Sequence, residues 1–191
     1  MFGSRRLDWK NDPLKWHISF IEELARHVRP EVYVELGVHR AELFNQVIPY
    51  AGRLVGVDVD PTSGGFMRKS DNTRFVCGTT EEFVQELRQA PLEIDMLFID
   101  ADHSCESVYK DFTDYFPFVK QQGLILLHDT HPGNAQLLEP GWCGDAYRAI
   151  ERLQVDSRGF EMVTIPVSPG LTICRKRTVQ LGWMEPREDH E

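Results

Sequence analysis

Short β-branched, apolar runs alternate with stretches of helical periodicity along almost the whole chain, and that alternation leaves few folds open. Val32–Leu36 (VYVEL), Arg53–Val57 (RLVGV), Thr73–Cys77 (TRFVC), Ile94–Ile99 (IDMLFI) and Gly123–Leu127 (GLILL) read as strands. Helices are predicted between and around them. Phe20, Ile21, Leu24, Ala25 and Val28 share one face over Ser19–Val28, which Pro30 ends. Ala41–Ile48 repeats the spacing. Phe83, Val84 and Leu87 align over Glu81–Gln89, with Thr80 as the expected N-cap. Two further helices span about Cys105–Phe116, stopped by Pro117, and about Asp145–Leu153. Strands alternating with helices predict an α/β fold: a doubly wound, Rossmann-like, mostly parallel sheet covered on both faces. Glu161–Val167 and Gly170–Cys174 flank Ser168-Pro169 and complete seven strands as a terminal antiparallel hairpin.

With 191 residues the chain is expected to form one domain over residues 1–177. Residues 1–15 are expected to form a lid or cap segment, and residues 178–191 a flexible tail. The Gly-, Pro- and Asn-rich stretch His131–Gly144 has no period and reads as a long functional loop. A formal net charge of −9 repels phosphate backbones, so nucleic acid is a poor candidate partner. Cys77, Cys105, Cys143 and Cys174 form no C-x-x-C pair; buried free thiols are expected, with Cys77 and Cys174 inside apolar runs. No apolar stretch approaches about 18 residues, so no membrane span is expected. The polar N-terminus lacks an apolar signal core, which points to the reducing cytoplasm.

In an open parallel sheet, ligands bind outside the carboxyl ends of the strands. The residues that follow the strands are Glu35, Gly37, Val38 and His39, then Asp58 and Val59, then Gly78, Thr79 and Thr80. Asp100, Asp102 and His103 follow the fourth strand, and His128, Asp129, Thr130 and His131 the fifth. Gly37 lets a ligand approach the backbone closely. Asp58, 21 residues on, suits the hydroxyls of a ribose. A dinucleotide fingerprint would need two more glycines, where this chain has His39 and Glu42; the first crowds a pyrophosphate and the second repels one. The turn therefore suits a ribonucleoside without phosphates, and S-adenosylmethionine is such a ligand.

Read in order, Val34–Ala41 (VELGVHRA), Val57-Asp58, Cys77–Glu81 (CGTTE), Leu97–His103 (LFIDADH) and Leu126–Thr130 (LLHDT) resemble the class I S-adenosylmethionine-dependent methyltransferases. The similarity is greatest to the small-molecule O-methyltransferase branch, which includes sugar O-methyltransferases and relatives of cephalosporin hydroxylase. It covers roughly residues 16–175. The resemblance implies that Glu35, Gly37, Val38 and His39 border the methionine end of the cofactor. Asp58 would hold the ribose, Val59 would lie against the adenine, and Gly78, Thr79 and Thr80 would line its edge. Asp100 would border the cofactor and, with Asp129, ligate Mg²⁺ or another divalent cation. His103 matches the position of a general base, with Asp102 as its partner or alternative. Ala41 stands where many relatives have glycine.

A zinc site from His103, His128 and His131 matches no closed zinc spacing. The expected partner is a small hydroxylated acceptor, a sugar or a phenol. Its pocket would lie between Leu7–Trp16 and His131–Gly144, with Trp9, Trp16 and Trp142 as walls. A homo-oligomer stays open as a further partner. Two other readings stand beside this one. One is a nucleotide-dependent oxidoreductase or metal-dependent hydroxylase on a related sheet. The other is a non-catalytic cofactor-binding module.

Overall fold

A computed structural model describes residues 12–139, 141–155 and 158–178. Most of the proposed N-terminal cap, with Trp9, and most of the proposed tail lie outside the described residues. The chain forms α1 (Trp16–Val28), β1 (Val32–Leu36), α2 (Glu42–Val47), β2 (Arg53–Asp58), α3 (Ser63–Phe66) and β3 (Thr73–Cys77). It continues as α4 (Thr80–Gln89), β4 (Ile94–Ile99), α5 (Cys105–Tyr115), β5 (Val119–His128), α6 (Tyr147–Val155), β6 (Phe160–Ile165) and β7 (Leu171–Lys176). The strands form one sheet in the order β3-β2-β1-β4-β5-β7-β6. The pairs from β3 to β5 are parallel, and β7 enters antiparallel beside β5. This is the doubly wound sheet with a terminal antiparallel hairpin that the alternation predicts.

Period-two alternation in the central strands builds two cores. Tyr33, Leu54, Met96, Phe98 and Leu126 point to the face covered by Ile18, Ile21 and Ala25 of α1 and Leu43, Phe44 and Val47 of α2. Val34, Leu36, Val55, Val57, Leu97, Ile99, Ile125 and Leu127 point to the face covered by α4, α5 and α6. β1 lies between β2 and β4, so the chain winds one way from β1 toward β3 and the other way from β4 onward. The crevice at that reversal, outside the ends of β1 and β4, is where such a sheet binds its ligand.

Several boundaries differ from the sequence expectation. The N-cap of α4 is Thr79, not Thr80: the Thr79 hydroxyl accepts the Glu82 amide while the Glu82 carboxylate accepts the Thr79 amide, a reciprocal capping box. β5 starts at Val119, four residues early, through a bulge where Gln122 has φ 69°. The chain enters it from a 3₁₀ turn over Phe116–Phe118. All four cysteines are free, and Cys174 is buried as expected. Cys77 is exposed, because β3 is an edge strand. Among the described residues no helix is long and apolar enough to cross a membrane.

Candidate active site at the carboxyl rim of the sheet

The turn after β1 is shaped by close backbone approach. Gly37 has φ +86°, and a Cβ there would stand 2.1 Å from the Asp100 carbonyl oxygen. Glycine is thus required on two counts, conformation and space. The flanking backbone bonds run from Gly37 N–H to the Val57 carbonyl (2.9 Å) and from Asp100 N–H to the Leu36 carbonyl (2.8 Å), stitching three strand ends together. Asp58 ties that turn to its own: its Oδ2 accepts the Val38 and His39 amides at 3.0 and 2.8 Å, and its Oδ1 accepts the Asp60 amide, beyond β2, at 2.8 Å. An ionised carboxylate has about four acceptor positions, so one remains for a further donor. Val59, just beyond, is 67% exposed on the open rim. In the turn after β3, the Thr79 hydroxyl is used by the capping box, and the Thr80 carbonyl accepts the Tyr115 hydroxyl at 2.7 Å.

A cavity opens beside Gly37, lined by His17, Glu35, Val38, His39, Phe98 and Asp100 among others. Glu35 is buried and accepts the Tyr33 hydroxyl at 2.6 Å. Burial, with the Asp100 charge adding to it, pushes its carboxyl up to about 8 against the pull of the Tyr33 hydrogen bond.

A second group of side chains gathers where β4 and β5 end. The Asp100 carboxylate accepts His128 Nδ1 at 3.0 Å, and His103 Nε2 lies 3.7 Å away. Asp129 meets His103 Nδ1 at 3.1 Å and His128 Nδ1 at 3.3 Å. The Trp142 carbonyl also bonds His103 Nδ1, which ties the loop to the site. Asp129 adopts φ 59°, a left-handed conformation that aspartate tolerates better than most residues. Burial alone would raise its carboxyl; His128 and His103 outweigh burial and hold it below the usual range. Burial would lower His128, but Asp100 and Asp129 outweigh that and hold its imidazolium well above the ordinary value.

His17 enters this group from α1, its ring 3.9 Å from that of His128 and 6.1 Å from that of Phe98. Burial first, then the His128 charge, lower it to about 3, while Asp129 and the Leu14 carbonyl pull weakly the other way.

The structure thus brings Glu35, Gly37, Val38, His39, Asp58, Asp100, His103 and Asp129 to one rim. Asp102 stands apart in role: its carboxylate accepts the Ser104 amide at 2.8 Å, and the Ser104 hydrogen bonds hold it below the usual range. His131 joins neither histidine–carboxylate group; its amide bonds the Pro169 carbonyl. Trp16 donates its indole N–H to the Val167 and Ser168 carbonyls, so it anchors α1 to the β6–β7 connection. Trp142 remains 45% exposed beside His103. Sequence reasoning missed His17. The available signal was a lone imidazole on the otherwise apolar face of an amphipathic helix.

An open sheet of this order, with a glycine turn after its first strand and an acidic rim, defines a class of enzymes, and the comparisons with known proteins agree. The profile of a family described as a methyltransferase domain matches residues 21–130, and the chain belongs to that family. No curated protein matches it in sequence. Among solved structures, a putative caffeoyl-CoA O-methyltransferase from Staphylococcus aureus aligns with TM-score 0.70 at 17% identity, covering 88% of each chain. TomG from Streptomyces achromogenes, an O-methyltransferase solved in complex with SAM, aligns at 0.71 and 15% identity over 84% of this chain and 79% of its own. An O-methyltransferase from Bacillus cereus, in complex with SAH, aligns at 0.69 and 14% identity over 88% and 86%. At these identities the likeness establishes the fold.

Proposed function

We propose that this methyltransferase moves the methyl group of S-adenosylmethionine to a hydroxyl oxygen of a small acceptor, a sugar or a phenol. One observation carries the reading: the cavity beside Gly37 and the His103–Asp129 pair open on the same rim, with Asp100 touching both. Two of the fold neighbours, O-methyltransferases solved with SAM or SAH bound, support it.

The cofactor supplies a methyl group on a sulfonium, already activated for displacement. The chain has to place the acceptor in line and take its proton. Gly37 leaves room for the methionine end, Glu35 and Asp100 face it with acceptor oxygens, and Asp58 offers its remaining lone pair to the ribose. Val59, Gly78, Thr79 and Thr80 are the proposed adenine side. His103 Nδ1–H is held by Asp129 and the Trp142 carbonyl, which fixes the tautomer and leaves Nε2 to accept the acceptor's proton. The resulting imidazolium stands between two carboxylates, Asp129 on one nitrogen and Asp100 near the other. Asp102, committed to Ser104 and held acidic, is the poorer base. Trp142, exposed and tied to His103 through its carbonyl, provides apolar wall near this point.

A divalent cation, Mg²⁺ or another, belongs in the same reading at Asp100 and Asp129. The donor chemistry fits in kind, since Asp100, His103 and Asp129 bring ligand atoms within 4.8 Å of one another. A cation there would acidify the acceptor hydroxyl and would draw Asp129 away from His103. Chelation therefore separates the two arrangements: the imidazole–carboxylate pair works on in chelator, and a cation-assisted site stops.

The decisive experiment is calorimetric binding of S-adenosylhomocysteine and NAD, followed by methyl transfer to hydroxylated acceptors. Binding of S-adenosylhomocysteine alone is expected. The variant His103→Ala should lose on the order of 10²–10⁴ in turnover while keeping its affinity for S-adenosylhomocysteine. Binding of NAD in its place would sink the reading, and full turnover of His103→Ala would remove the base.

A further inference from the structure

We infer that His17, Asp100 and His128 form a cation site of their own, suited to a borderline d-block dication such as Zn²⁺, whose filling opposes cofactor binding. Each of the three residues offers a ligand atom, and these atoms lie within 4.8 Å of one another. The group shares only Asp100 with the Asp100–His103–Asp129 group and sits deeper, since His17 is buried and the His128 side chain is only 10% exposed.

Two observations point to a ligand. His17 Nδ1 is buried without a hydrogen-bond partner, and native interiors seldom leave such a nitrogen unpaired. His128 Nδ1 stands 3.0 Å from the Asp100 carboxylate. An ion bound by both would sit between them, with metal–nitrogen and metal–oxygen bonds of about 2.0–2.2 Å spanning that separation. The donors select the ion. Mg²⁺ prefers an all-oxygen shell with several waters, whereas two imidazoles and a carboxylate suit Zn²⁺, Co²⁺, Mn²⁺ or Fe²⁺. The rings are also pre-placed: His17 stacks on Phe98 from a helix anchored through Trp16.

The regulatory part rests on the proposed cofactor reading. His17 and Asp100 line the cavity that also holds Glu35 and Gly37, the expected seat of the methionine end. That end of the cofactor brings an ammonium and a sulfonium to the cavity. A dication fixed in its wall occupies Asp100, the acceptor proposed to face that ammonium, which S-adenosylhomocysteine also carries, so ion and cofactor should exclude one another.

The test uses the full chain stripped of metal by chelator. Co²⁺ is titrated as a spectroscopic probe, with Zn²⁺ as competitor. Wild type is expected to take up one equivalent with a ligand-field absorption that Zn²⁺ abolishes. His17→Gln, and His17→Asn as a second variant with its thermal unfolding checked, should weaken uptake by on the order of tenfold or more. His103→Ala should leave uptake within about twofold of wild type, because the imidazole it removes belongs to the other donor group. Saturating Zn²⁺ should raise the dissociation constant for S-adenosylhomocysteine in wild type and not in His17→Gln. Absence of stoichiometric Co²⁺ uptake, uptake unchanged in both His17 variants, or equal loss in His103→Ala overturns the site. If Zn²⁺ leaves S-adenosylhomocysteine affinity unchanged, the antagonism falls. Failure of the metal-free protein to bind S-adenosylhomocysteine sinks the cofactor reading alone, since Co²⁺ uptake is read without it.

Discussion

Glu35 illustrates how a single buried group sets a pH dependence. Its carboxyl is 2% exposed, and burial raises it from 4.5 to about 8 although the Tyr33 hydroxyl bonds it at 2.6 Å. The folded chain therefore keeps a proton that the unfolded chain releases. Stability from this group is fully present below pH 4.5 and is lost as pH rises through about 8. Glu35→Gln preserves an acceptor for Tyr33 and cannot ionise, so its melting temperature should fall less than that of wild type over that window. Thermal unfolding at a series of pH values reads this directly, and parallel curves would refute the buried-acid account. At this scale the sequence showed which residues reach the rim, because Gly37, Asp58, Asp100, His103 and Asp129 each follow a recognisable strand. It did not show what they touch. The threefold clasp of Asp58, on two amides of the turn after β1 and one of its own, depends on where a neighbouring strand end lies, and no spacing encodes that. His17 lies 111 residues from His128 in sequence, too far for any local pattern to pair them.

At the scale of elements, strength of pattern decided what was legible. β1, β3 and β4 have their expected bounds, since each is a compact apolar run between turn residues. The four-residue α3, with two glycines, has no periodicity to read. The first residues of β5, Val-Lys-Gln-Gln, are too polar to read as a buried strand, and a bulge joins them to the apolar half. Adjacent threonines hid the N-cap of α4, because only the Glu82 reciprocity distinguishes Thr79 from Thr80. The start of α2 bears on the departure from the related glycine pattern at Ala41. Ala41 is its N-cap, has φ 55°, is buried and makes no side-chain cap bond. A left-handed alanine costs about 1–2 kcal/mol, whereas glycine adds only about 0.4–1 kcal/mol of unfolded-state entropy. Relief exceeds entropy, so Ala41→Gly should stabilise the fold by about 0.5–1 kcal/mol. Denaturant unfolding measures it, and a destabilised variant would mean that the alanine methyl contributes more to core packing than its conformation costs.

Over the whole molecule, the reversal of winding between β1 and β4 makes one small residue answerable for both fold and site. The two strands run side by side with Tyr33 opposite Met96 and Leu36 opposite Ile99, and they part only beyond those last pairs. Gly37 sits at that fork, where the Asp100 backbone passes closer than any side chain allows. In Gly37→Ala, the new methyl meets the Asp100 carbonyl carbon and the Ala101 Cα as well as the Asp100 oxygen, all within 2.7 Å. Backbone cannot swing aside as a side-chain tip can, so β1 and β4 must separate at their carboxyl ends. Adding the left-handed conformation to the overpacking gives a loss of about 2–5 kcal/mol. Because Asp100 is the residue displaced, affinity for S-adenosylhomocysteine should fall even at temperatures where the variant remains folded. Circular dichroism on heating, with calorimetry well below the transition, separates the two effects. Wild-type stability in Gly37→Ala would mean that the strand ends do not meet at this fork. A destabilised variant with unaltered affinity would move the cofactor away from the reversal point.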